Sequence, residues 1–571
     1  MTTTPPRPWL TSYAEGVPHE IELPTGSLYD LVEESVKTYP DNVALEFFGA
    51  TTSYGELGEQ ILRAAEGLRL LGVQKGDTVA LVLPNCPQHI VAFYAVLRLG
   101  GIVVEHNPLY TPRELRHQFE DHGARFAIVW NNVVATVQAF PSDVAVESIV
   151  SVDVTRAMPF TTRALLRLPV ARARESRAAL TTTVRGTIPW EKLVDNDPID
   201  EHIFRPQMDD IALIQYTSGT TGLPKGATLT HLNLTTNAAQ SRAWVPSIQR
   251  GTAVVYAVLP MFHAYGLTLC LTFAMSMGAR LVLFPKFDPD LVLPVIKKHP
   301  ATFLPAVPPI YERLTAAAEE QGVSLKGIQI AISGAMPLSA SVVEPWEALT
   351  GGYLVEGYGL SETSPVLMAN PVGPTRRAGT VGLPIPNTEA RVVDPENPTV
   401  DRASGEEGEL LVRGPQVFSG YWKKPEETAV VFVPAAEGDD AGPWFRTGDI
   451  VTLDADGFFT VVDRLKELII TGGFNVAPSE VEDALRAYPD IQDVAVVGLP
   501  SEHSGEDVVA AVVLKPGRGL DEKAIRDFAR DGLAAYKVPR RVIEVDDLPK
   551  SLIGKVQRKQ VKEQLVAAEA K

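Results

Sequence analysis

The sequence Tyr216-Thr217-Ser218-Gly219-Thr220-Thr221-Gly222-Leu223-Pro224-Lys225-Gly226 directly follows a short apolar run at residues 211–214, which predicts a strand. Glycines let backbone amides approach an anion, the hydroxyl groups add donors, and the lysine adds a positive charge. A P-loop would need glycine before the lysine and serine or threonine after it, which this run lacks. A surface loop of turn formers is the alternative. The preceding strand and the terminal lysine favour a phosphate-binding loop.

Strand and helix patterns alternate ahead of this loop. Residues 43–47 and 79–83 are short apolar runs typical of buried strands, whereas residues 28–36 and 54–71 have the apolar spacing of helices. This rhythm is typical of parallel sheets. Further along, Asp456-Gly457 between two apolar runs predicts a tight hairpin. We therefore expect an α/β fold with a large N-terminal domain of βα-layered sheets and a β-rich subdomain.

A domain boundary is predicted at the charged run Asp463-Arg464-Leu465-Lys466-Glu467, which contains neither glycine nor proline. The residues after it have their own pattern. Helices are expected at 479–488 and 521–533, and strands at 494–497 and 508–514. The predicted domains are thus residues 1–463 and a small α/β unit, residues 464–571, that can move as a body.

Composition excludes several classes of protein. A chain of 571 residues is too long for one hydrophobic core, and its formal net charge of -18 argues against nucleic-acid binding. The only cysteines, Cys86 and Cys270, imply neither a disulfide framework nor a thiolate metal site. The N-terminus lacks the apolar core of a secretory signal, so we expect a cytoplasmic protein. Residues 267–284 are apolar but contain Gly278 and Arg280, which favours a buried helix and strand over a membrane span.

A basic segment at residues 155–174 contrasts with the acidic chain. It contains no acidic residue, and apolar side chains separate its five arginines, which are Arg156, Arg163, Arg167, Arg172 and Arg174. Such a segment could lie on anionic lipid, which would place the protein at the inner face of the membrane. The alternative is a solvated basic connector, since Pro159 and Pro169 limit any helix to a few turns.

Five further residues are candidates for ligand chemistry. Glycines around Tyr358 would let its ring lie flat against a nucleobase, and Glu362 offers an oxygen ligand for a magnesium ion carried in on phosphates. Asp449 could accept hydrogen bonds from ribose, although Gly448-Asp449 is also ordinary turn chemistry. His263 lies among aromatic residues, a setting in which core packing is the commoner role. Lys555 lies on a predicted turn of the movable unit, from which it could be swung into a phosphate site.

With these residues considered together, the chain resembles the adenylate-forming superfamily of acyl-CoA synthetases, luciferases and peptide-synthetase adenylation domains. The resemblance covers nearly the whole chain. It rests on runs in the family's order, which are residues 216–226, 356–363, 445–449, 463–467 and 549–558. Within the superfamily the chain is most similar to bacterial long-chain fatty-acid–CoA ligases, because residues 107–114, 356–363 and 381–386 and the basic segment look like that branch.

The resemblance implies a nucleotide site. The β- and γ-phosphates of ATP would be held by Thr217, Ser218, Gly219, Thr220, Thr221, Gly222 and Lys225. The adenine pocket would consist of Gly334, Ala335, Glu356, Gly357, Tyr358 and Gly359. Thr363 would contact the α-phosphate, Asp449 and Arg464 would hold the ribose, and Thr217 and Glu362 would help to place Mg²⁺.

The resemblance also implies the catalytic and hinge residues. Lys555 would bridge the acyl carboxylate and the α-phosphate, His263 would lie beside that carboxylate, and Lys466 would be the hinge. Gly472, Gly473 and Phe474 would approach the pantetheine of coenzyme A after the C-terminal domain rotates.

The implied reaction converts a fatty acid, ATP and CoA to acyl-CoA, AMP and pyrophosphate through an acyl adenylate. Three alternatives stay open at this point. They are a ligase for medium-chain or aromatic acids, an enzyme that loads acyl groups onto a carrier protein, and a binding protein on an inactive synthetase fold.

Overall fold

The computed structural model describes residues 7–217, 224–437, 439–471, 474–501, 505–533, 535–551 and 554–569. Of the predicted site residues, Ser218–Gly222, Gly472 and Gly473 lie outside this part of the chain, as do the side chains of Lys466 and Phe474.

Nine described strands form the first large sheet of the N-terminal region. Its central strands are parallel, and antiparallel strands close both ends. In spatial order the strands are Leu383–Pro384, Val366–Ala369, Tyr353–Gly359, Ile330–Ser333, Phe303–Ala306, Val254–Ala257, Arg280–Leu283, Val43–Phe47 and Ala50–Ser53.

A second sheet of eight described strands carries the phosphate-loop sequence at one end. In spatial order the strands are Gly420–Tyr421, Lys225–Thr230, Ile211–Thr217, Ile102–Glu105, Thr78–Val82, Phe126–Trp130, Ser148–Val152 and Ile188–Pro189. The first three are antiparallel to one another, and the others are parallel.

Two smaller sheets follow. The β-rich subdomain is an antiparallel sheet of Glu389–Val393, Gly408–Arg413, Trp444–Leu453, Phe432–Val433 and Phe459–Arg464. The C-terminal sheet consists of Phe474–Val476, Ile469–Thr471, Gly505–Leu514, Ile491–Ser501 and Arg541–Glu544.

Helices cover both large sheets, and several begin where the sequence supplies an N-cap. Four helices begin with a capping box, in which the N-cap side chain accepts a hydrogen bond from the backbone amide of the third helical residue. The side chain of that third residue accepts a hydrogen bond from the N-cap amide. The four N-cap residues are Ser27, Ser53, Thr111 and Thr230. The helices of four or more residues are Leu28–Thr38, Tyr54–Leu70, Pro87–Arg98, Pro112–His122, Asn131–Gln138, Phe160–Leu166, Ala171–Leu180, Trp190–Leu193, His231–Trp244, Phe273–Met277, Pro289–Ile296, Pro308–Glu320, Ala340–Thr350, Pro425–Val430, Pro478–Arg486, Glu522–Gly532 and Arg558–Glu569.

The hydrophobic core changes at the predicted boundary. One large cluster of buried side chains extends from Trp9 to Phe459, and a separate cluster begins at Ile469. The expected α/β fold with a β-rich subdomain and a small C-terminal domain is therefore confirmed, whereas the exact boundary stays a prediction.

The apolar stretch at residues 267–284 is buried helix and strand, as the sequence predicts. A π-helical turn, Leu267–Thr272, leads into Phe273–Met277 and then into the strand Arg280–Leu283. Among the described residues, no helix combines the length and the apolar character that a membrane crossing requires.

Candidate active site

The two ends of the glycine-rich loop are fixed by strand pairing. Thr217 ends one strand, Lys225 begins the next, and the two residues are direct partners in the antiparallel register. The glycine-rich sequence therefore begins and ends at paired positions of two neighbouring strands. Gly226 follows Lys225 where space is short, because a Cβ there would lie 2.6 Å from Ile214 Cγ2.

Glu362 and Tyr421 lie close to this hairpin. Glu362 is 8% exposed, and its Oε1 accepts a hydrogen bond of 2.8 Å from the Tyr421 hydroxyl. The Lys225 ammonium lies over the same tyrosine ring, 5.1 Å from its centroid. Burial raises the pKa of Glu362 above its ordinary value, while the Tyr421 hydrogen bond acts in the opposite direction.

The loop between Gly359 and Pro365 is tightly packed. A Cβ at Gly359 would lie 1.8 Å from the Pro365 carbonyl oxygen, so only glycine fits there. Thr363 is fully buried, and its hydroxyl bonds to the carbonyls of Leu360 and Pro365, at 3.0 and 2.6 Å. The structure thus gives Thr363 a role in holding the loop, and its predicted α-phosphate contact stays a prediction.

A largely apolar pocket opens beside this loop, with about 720 Å³ of space including its mouth. Predicted site residues line one side, which are His263, Gly334, Ala335, Gly357, Tyr358 and Gly359. The other side is formed by Ser241, Trp244, Leu269, Phe303, Val366 and Ile385. The predicted adenine residues and apolar side chains therefore line one and the same pocket.

The wall near Gly334 is shaped by Tyr265. The Tyr265 hydroxyl lies 2.6 Å from the Ile332 carbonyl oxygen, and a Cβ on Gly334 would come within 3.1 Å of its ring. Ala335 adopts a left-handed conformation, with φ of 66°. At the pocket edge, Nδ1 of His263 accepts a hydrogen bond from the Tyr265 amide, and burial lowers the pKa of His263. His263 is thus favoured as a neutral imidazole facing the pocket.

Glu356 has an unusual proton affinity. Burial raises its pKa from 4.5 to about 8, while a hydrogen bond of 3.3 Å from the Leu338 amide acts against the rise. Between these pH values Glu356 is protonated in the folded protein but ionised in the unfolded chain. The free energy of unfolding therefore falls as the pH rises from 4.5 to 8.

We expect Glu356→Gln to unfold at the same temperature as the wild type well below pH 4.5, because Glu356 is then protonated in both the folded and the unfolded chain. As the pH rises to about 8, the free energy of unfolding of the variant should exceed that of the wild type by a growing amount. At pH 8 the difference should be at least about 1.4 kcal/mol, which is the equivalent of one pKa unit. Thermal unfolding of both proteins at pH 5, 6.5 and 8 measures this. Glu59→Gln, on the exposed face of the helix Tyr54–Leu70, is the control. A gain in thermal stability for Glu356→Gln that does not vary with pH would contradict the raised pKa of Glu356.

Tyr358, which lines the pocket, forms a cluster with Asp449 and Arg464 in which Asp449 is the buried member. Asp449 is 3% exposed, with Oδ2 accepting a 2.5 Å hydrogen bond from the Tyr358 hydroxyl and Oδ1 lying 3.2 Å from Arg464 Nε. Burial raises the pKa of Asp449, whereas Arg464 and Tyr358 oppose the rise. The aromatic ring and the carboxylate predicted for adenine and ribose thus occupy one site.

Lys555 reaches the same region from the C-terminal domain. A Cβ on the adjacent Gly554 would lie 3.7 Å from Met336 Sδ and 3.8 Å from Pro309 Cγ, so the turn lies against the N-terminal domain. The Lys555 side chain stays accessible to solvent, yet the surrounding protein and Arg464 lower its pKa. Asp449 and Glu467 act in the opposite direction.

Arg558 connects the predicted hinge to the C-terminal domain. Its guanidinium contacts Glu467, lies 3.3 Å from Asp463 Oδ1, and donates to both carboxylate oxygens of Glu482, at 2.8 and 2.7 Å. It also donates to Ser479 Oγ at 2.6 Å. Arg558 thus joins three acids at the predicted domain boundary, and two of them, Asp463 and Glu482, are almost fully buried.

Sequence reasoning missed four residues of this region, which are Ser241, Trp244, Tyr421 and Arg558. Tyr421 follows a glycine in an aromatic run, and Arg558 follows the turn that carries Lys555. Neither local pattern predicts which residues these side chains contact. Ser241 and Trp244 lie on a helix, and only the packing brings them into the pocket.

These features are typical of an α/β protein that binds a ligand where its strands end, with an apolar pocket beside the polar residues.

Comparison with known proteins identifies the family. The AMP-binding enzyme family matches residues 32–422, and its C-terminal domain family matches residues 480–555. The chain is 38% identical to the long-chain-fatty-acid–CoA ligase of Bacillus subtilis over 98% of both chains. It is 36% identical to that of Escherichia coli O157:H7 over 97% of this chain and 98% of the other. ATP-bound MatB from Rhodopseudomonas palustris superposes with a TM-score of 0.79 and 31% identity, covering 94% of this chain and 98% of MatB. The chain belongs to the AMP-binding enzyme family of the adenylate-forming superfamily.

Proposed function

We propose that this enzyme activates a long-chain fatty acid with ATP and transfers the acyl group to CoA. The observation that carries the proposal is the continuity of the pocket, in which an apolar wall of Trp244, Leu269 and Phe303 meets Tyr358 and His263. An acid with a long apolar tail suits such a cavity because its carboxylate would lie at the polar end, beside the nucleotide residues. The names of the two bacterial relatives support this substrate class.

In the first half-reaction, the fatty carboxylate attacks the α-phosphate of ATP, and the bond to pyrophosphate breaks. The two reactants are both anionic, so positive charge is needed where they meet. Lys555 supplies it from the C-terminal domain, and Lys225 holds the departing phosphates. Asp449 and Tyr358 position the nucleoside. Catalysis by orientation and charge stabilisation needs no covalent enzyme intermediate.

The residues present fit a magnesium ion bound with the nucleotide. Within the described ranges, no group of three or more acids, histidines or cysteines forms a dedicated metal site. A single buried carboxylate suits Mg²⁺, which keeps water ligands and arrives with phosphates. Burial raises the pKa of Glu362, and a cation bound beside it would offset that cost. Thr217 and Glu362 would hold the ion, and it would neutralise charge on the triphosphate.

In the second half-reaction, the CoA thiol attacks the acyl carbonyl, AMP leaves, and the thiol proton is released. Lys555 must move away to open a path for the thiol. Rotation of the C-terminal domain about Lys466 would do this and bring residues 472–474 to the pantetheine. The Arg558 cluster would have to separate or move with that rotation.

The substrate proposal is tested by CoA-dependent AMP release with acids from acetate to oleate and with cinnamate. We expect turnover to rise with chain length and palmitate or oleate to give the highest kcat/KM. A maximum with octanoate or cinnamate would replace the proposed substrate class with medium-chain or aromatic acids. Adenylate formation without CoA-dependent AMP release would favour carrier-protein loading.

We also propose that the basic segment binds anionic lipid, where long-chain acids accumulate. Every residue of the helices Phe160–Leu166 and Ala171–Leu180 is described, and none is buried. Phe160 and Leu165 are 75% and 62% exposed, and Arg163 lies over the Phe160 ring. The pair is attached to the enzyme through Leu180, whose carbonyl accepts a hydrogen bond from Trp130. Exposed apolar and basic side chains together are typical of an interfacial surface.

The lipid contact predicts that replacing Arg163, Arg167 and Arg174 with glutamine weakens binding to phosphatidylglycerol vesicles by about 10²-fold, since each basic residue contributes about 1 kcal/mol at such a surface. Vesicle sedimentation at low salt measures this. Turnover of dissolved short acids should not change. Replacement of Arg69 and Arg125, which are exposed and ion-paired elsewhere, is the control. Equal vesicle binding by both variants would make the segment a solvated connector.

A further inference from the structure

Tyr421 lies between the two charged side chains predicted to meet the triphosphate and its metal. Its hydroxyl donates to Glu362 Oε1 at 2.8 Å, and its ring centroid is 5.1 Å from Lys225 Nζ. Both contacts come from one side chain that belongs to neither of the predicted motifs. Tyr421 therefore connects the glycine-rich loop to the loop that carries Glu362.

The tyrosine itself is held firmly. Its strand pairs with Lys225–Thr230, where Tyr421 is the partner of Ala227. The Tyr421 amide donates to Thr428 Oγ1 at 2.9 Å, and the Phe418 ring packs edge-on at 5.0 Å. The Phe418 amide in turn donates to the backbone carbonyl of Glu362 at 2.8 Å. Neither end of the Tyr421–Glu362 contact can shift without breaking backbone hydrogen bonds.

The two contacts have different physical effects. The hydroxyl holds Oε1 of Glu362 by a hydrogen bond and so restricts the rotamer of that buried side chain, whereas Oε2 has no side-chain partner among the described residues. The negative face of the ring attracts the Lys225 ammonium. In the part of the chain that the structure describes, no salt bridge joins Lys225 to Glu362. Tyr421 thus contacts each of the two charged side chains with a different part of its own side chain.

We propose that Tyr421 is a positioning residue that presents Glu362 to the metal through its hydroxyl and Lys225 to the triphosphate through its ring. This inference rests on the proposed nucleotide and metal roles of those two residues. It predicts that the two functions separate by mutation, because phenylalanine keeps the ring and loses only the hydroxyl, whereas leucine loses both.

The test measures ATP binding by calorimetry, without fatty acid or CoA, in EDTA and across a series of free Mg²⁺ concentrations. Mg²⁺ should enhance ATP binding, and the Mg²⁺ concentration that gives half of this enhancement is the quantity compared between variants. We expect Tyr421→Phe to raise this concentration about tenfold, because the variant loses a hydrogen bond to a charged group. ATP affinity in EDTA should stay at the wild-type value. Tyr421→Leu should show the same metal shift and, in addition, bind ATP in EDTA about 2- to 5-fold more weakly.

Two further variants distinguish the possible failures. Tyr256→Phe removes an equivalent buried bond, from the tyrosine hydroxyl to the His299 carbonyl, and should leave both measurements unchanged. Glu362→Gln should shift the metal dependence at least as far as Tyr421→Phe. If Glu362→Gln shifts it and Tyr421→Phe does not, the positioning role is wrong. If neither shifts it, the metal role of Glu362 in the proposed function is wrong as well.

Thermal unfolding of each variant without ligand shows whether the variant is folded. If the leucine variant is unstable, the role of the hydroxyl is decided by Tyr421→Phe alone.

Discussion

We expect Lys555→Ala to lower ATP–pyrophosphate exchange with palmitate by about 10²–10³-fold, the size typical for loss of a preorganised charge at a transition state. The reason is that Lys555 is the lysine presented against the N-terminal domain beside Asp449 and Arg464. Thioester formation from preformed acyl adenylate and CoA should continue close to the wild-type rate, because the lysine must be absent from the site in that half-reaction. The two assays together separate a catalytic role from a general loss of structure.

Lys550→Ala is the matched control for this experiment. Lys550 lies near the start of the same turn, but its ammonium pairs with Asp493 at 2.6 Å within the C-terminal domain. Its removal should leave the exchange rate nearly unchanged. Wild-type exchange by Lys555→Ala would show that the lysine assignment is wrong.

Arg558→Met should destabilise the C-terminal domain by about 3–5 kcal/mol, the usual cost of leaving buried charges without their partner. Asp463 and Glu482 are 2% and 5% exposed at their side chains, so water cannot replace the arginine. Hydrogen exchange in Ile491–Ser501 and Gly505–Leu514 should accelerate by about 10²–10³-fold. All seven tryptophans precede residue 445, so tryptophan fluorescence should report an unchanged N-terminal unfolding transition.

Arg530→Met serves as the control in the same domain. Arg530 pairs with Asp527 on an exposed helix face, where an ion pair contributes little. Hydrogen exchange should stay near the wild-type rate. Equal exchange in the two variants would mean that Arg558 does not hold the domain.

Much of the architecture could be predicted from local sequence. Helix Tyr54–Leu70 has a capping serine and an apolar stripe, and strand Val43–Phe47 is a short buried run, so their patterns were sufficient. The predicted hairpin at Asp456-Gly457 joins Trp444–Leu453 to Phe459–Arg464. Periodicity and turn chemistry act over a few residues, and a single sequence shows them directly.

The site could be predicted only where one motif carries the chemistry. Tyr358 is a candidate because of its glycine neighbours and Asp449 because of its carboxylate, but the hydrogen bond between them joins residues 91 positions apart. Tyr421 contacts Glu362 from 59 positions away, and Trp244 enters the pocket because its helix packs across the sheet. Such contacts depend on sheet order, which local patterns do not encode.

The strand Gly420–Tyr421 pairs with the strand Lys225–Thr230 and so covers the edge of the second sheet. This pairing also determines when that edge is covered during synthesis. Thr228 and Gly420 are 192 residues apart, so the edge of the second sheet has no neighbour until most of the chain exists. At about 5–20 residues per second, that edge stays open for roughly 10–40 s on the ribosome. An unpaired strand edge is a template for aggregation. The edge beside the predicted phosphate-binding loop is therefore exposed early and covered late, so we expect it to need protection by a chaperone while the protein is being made.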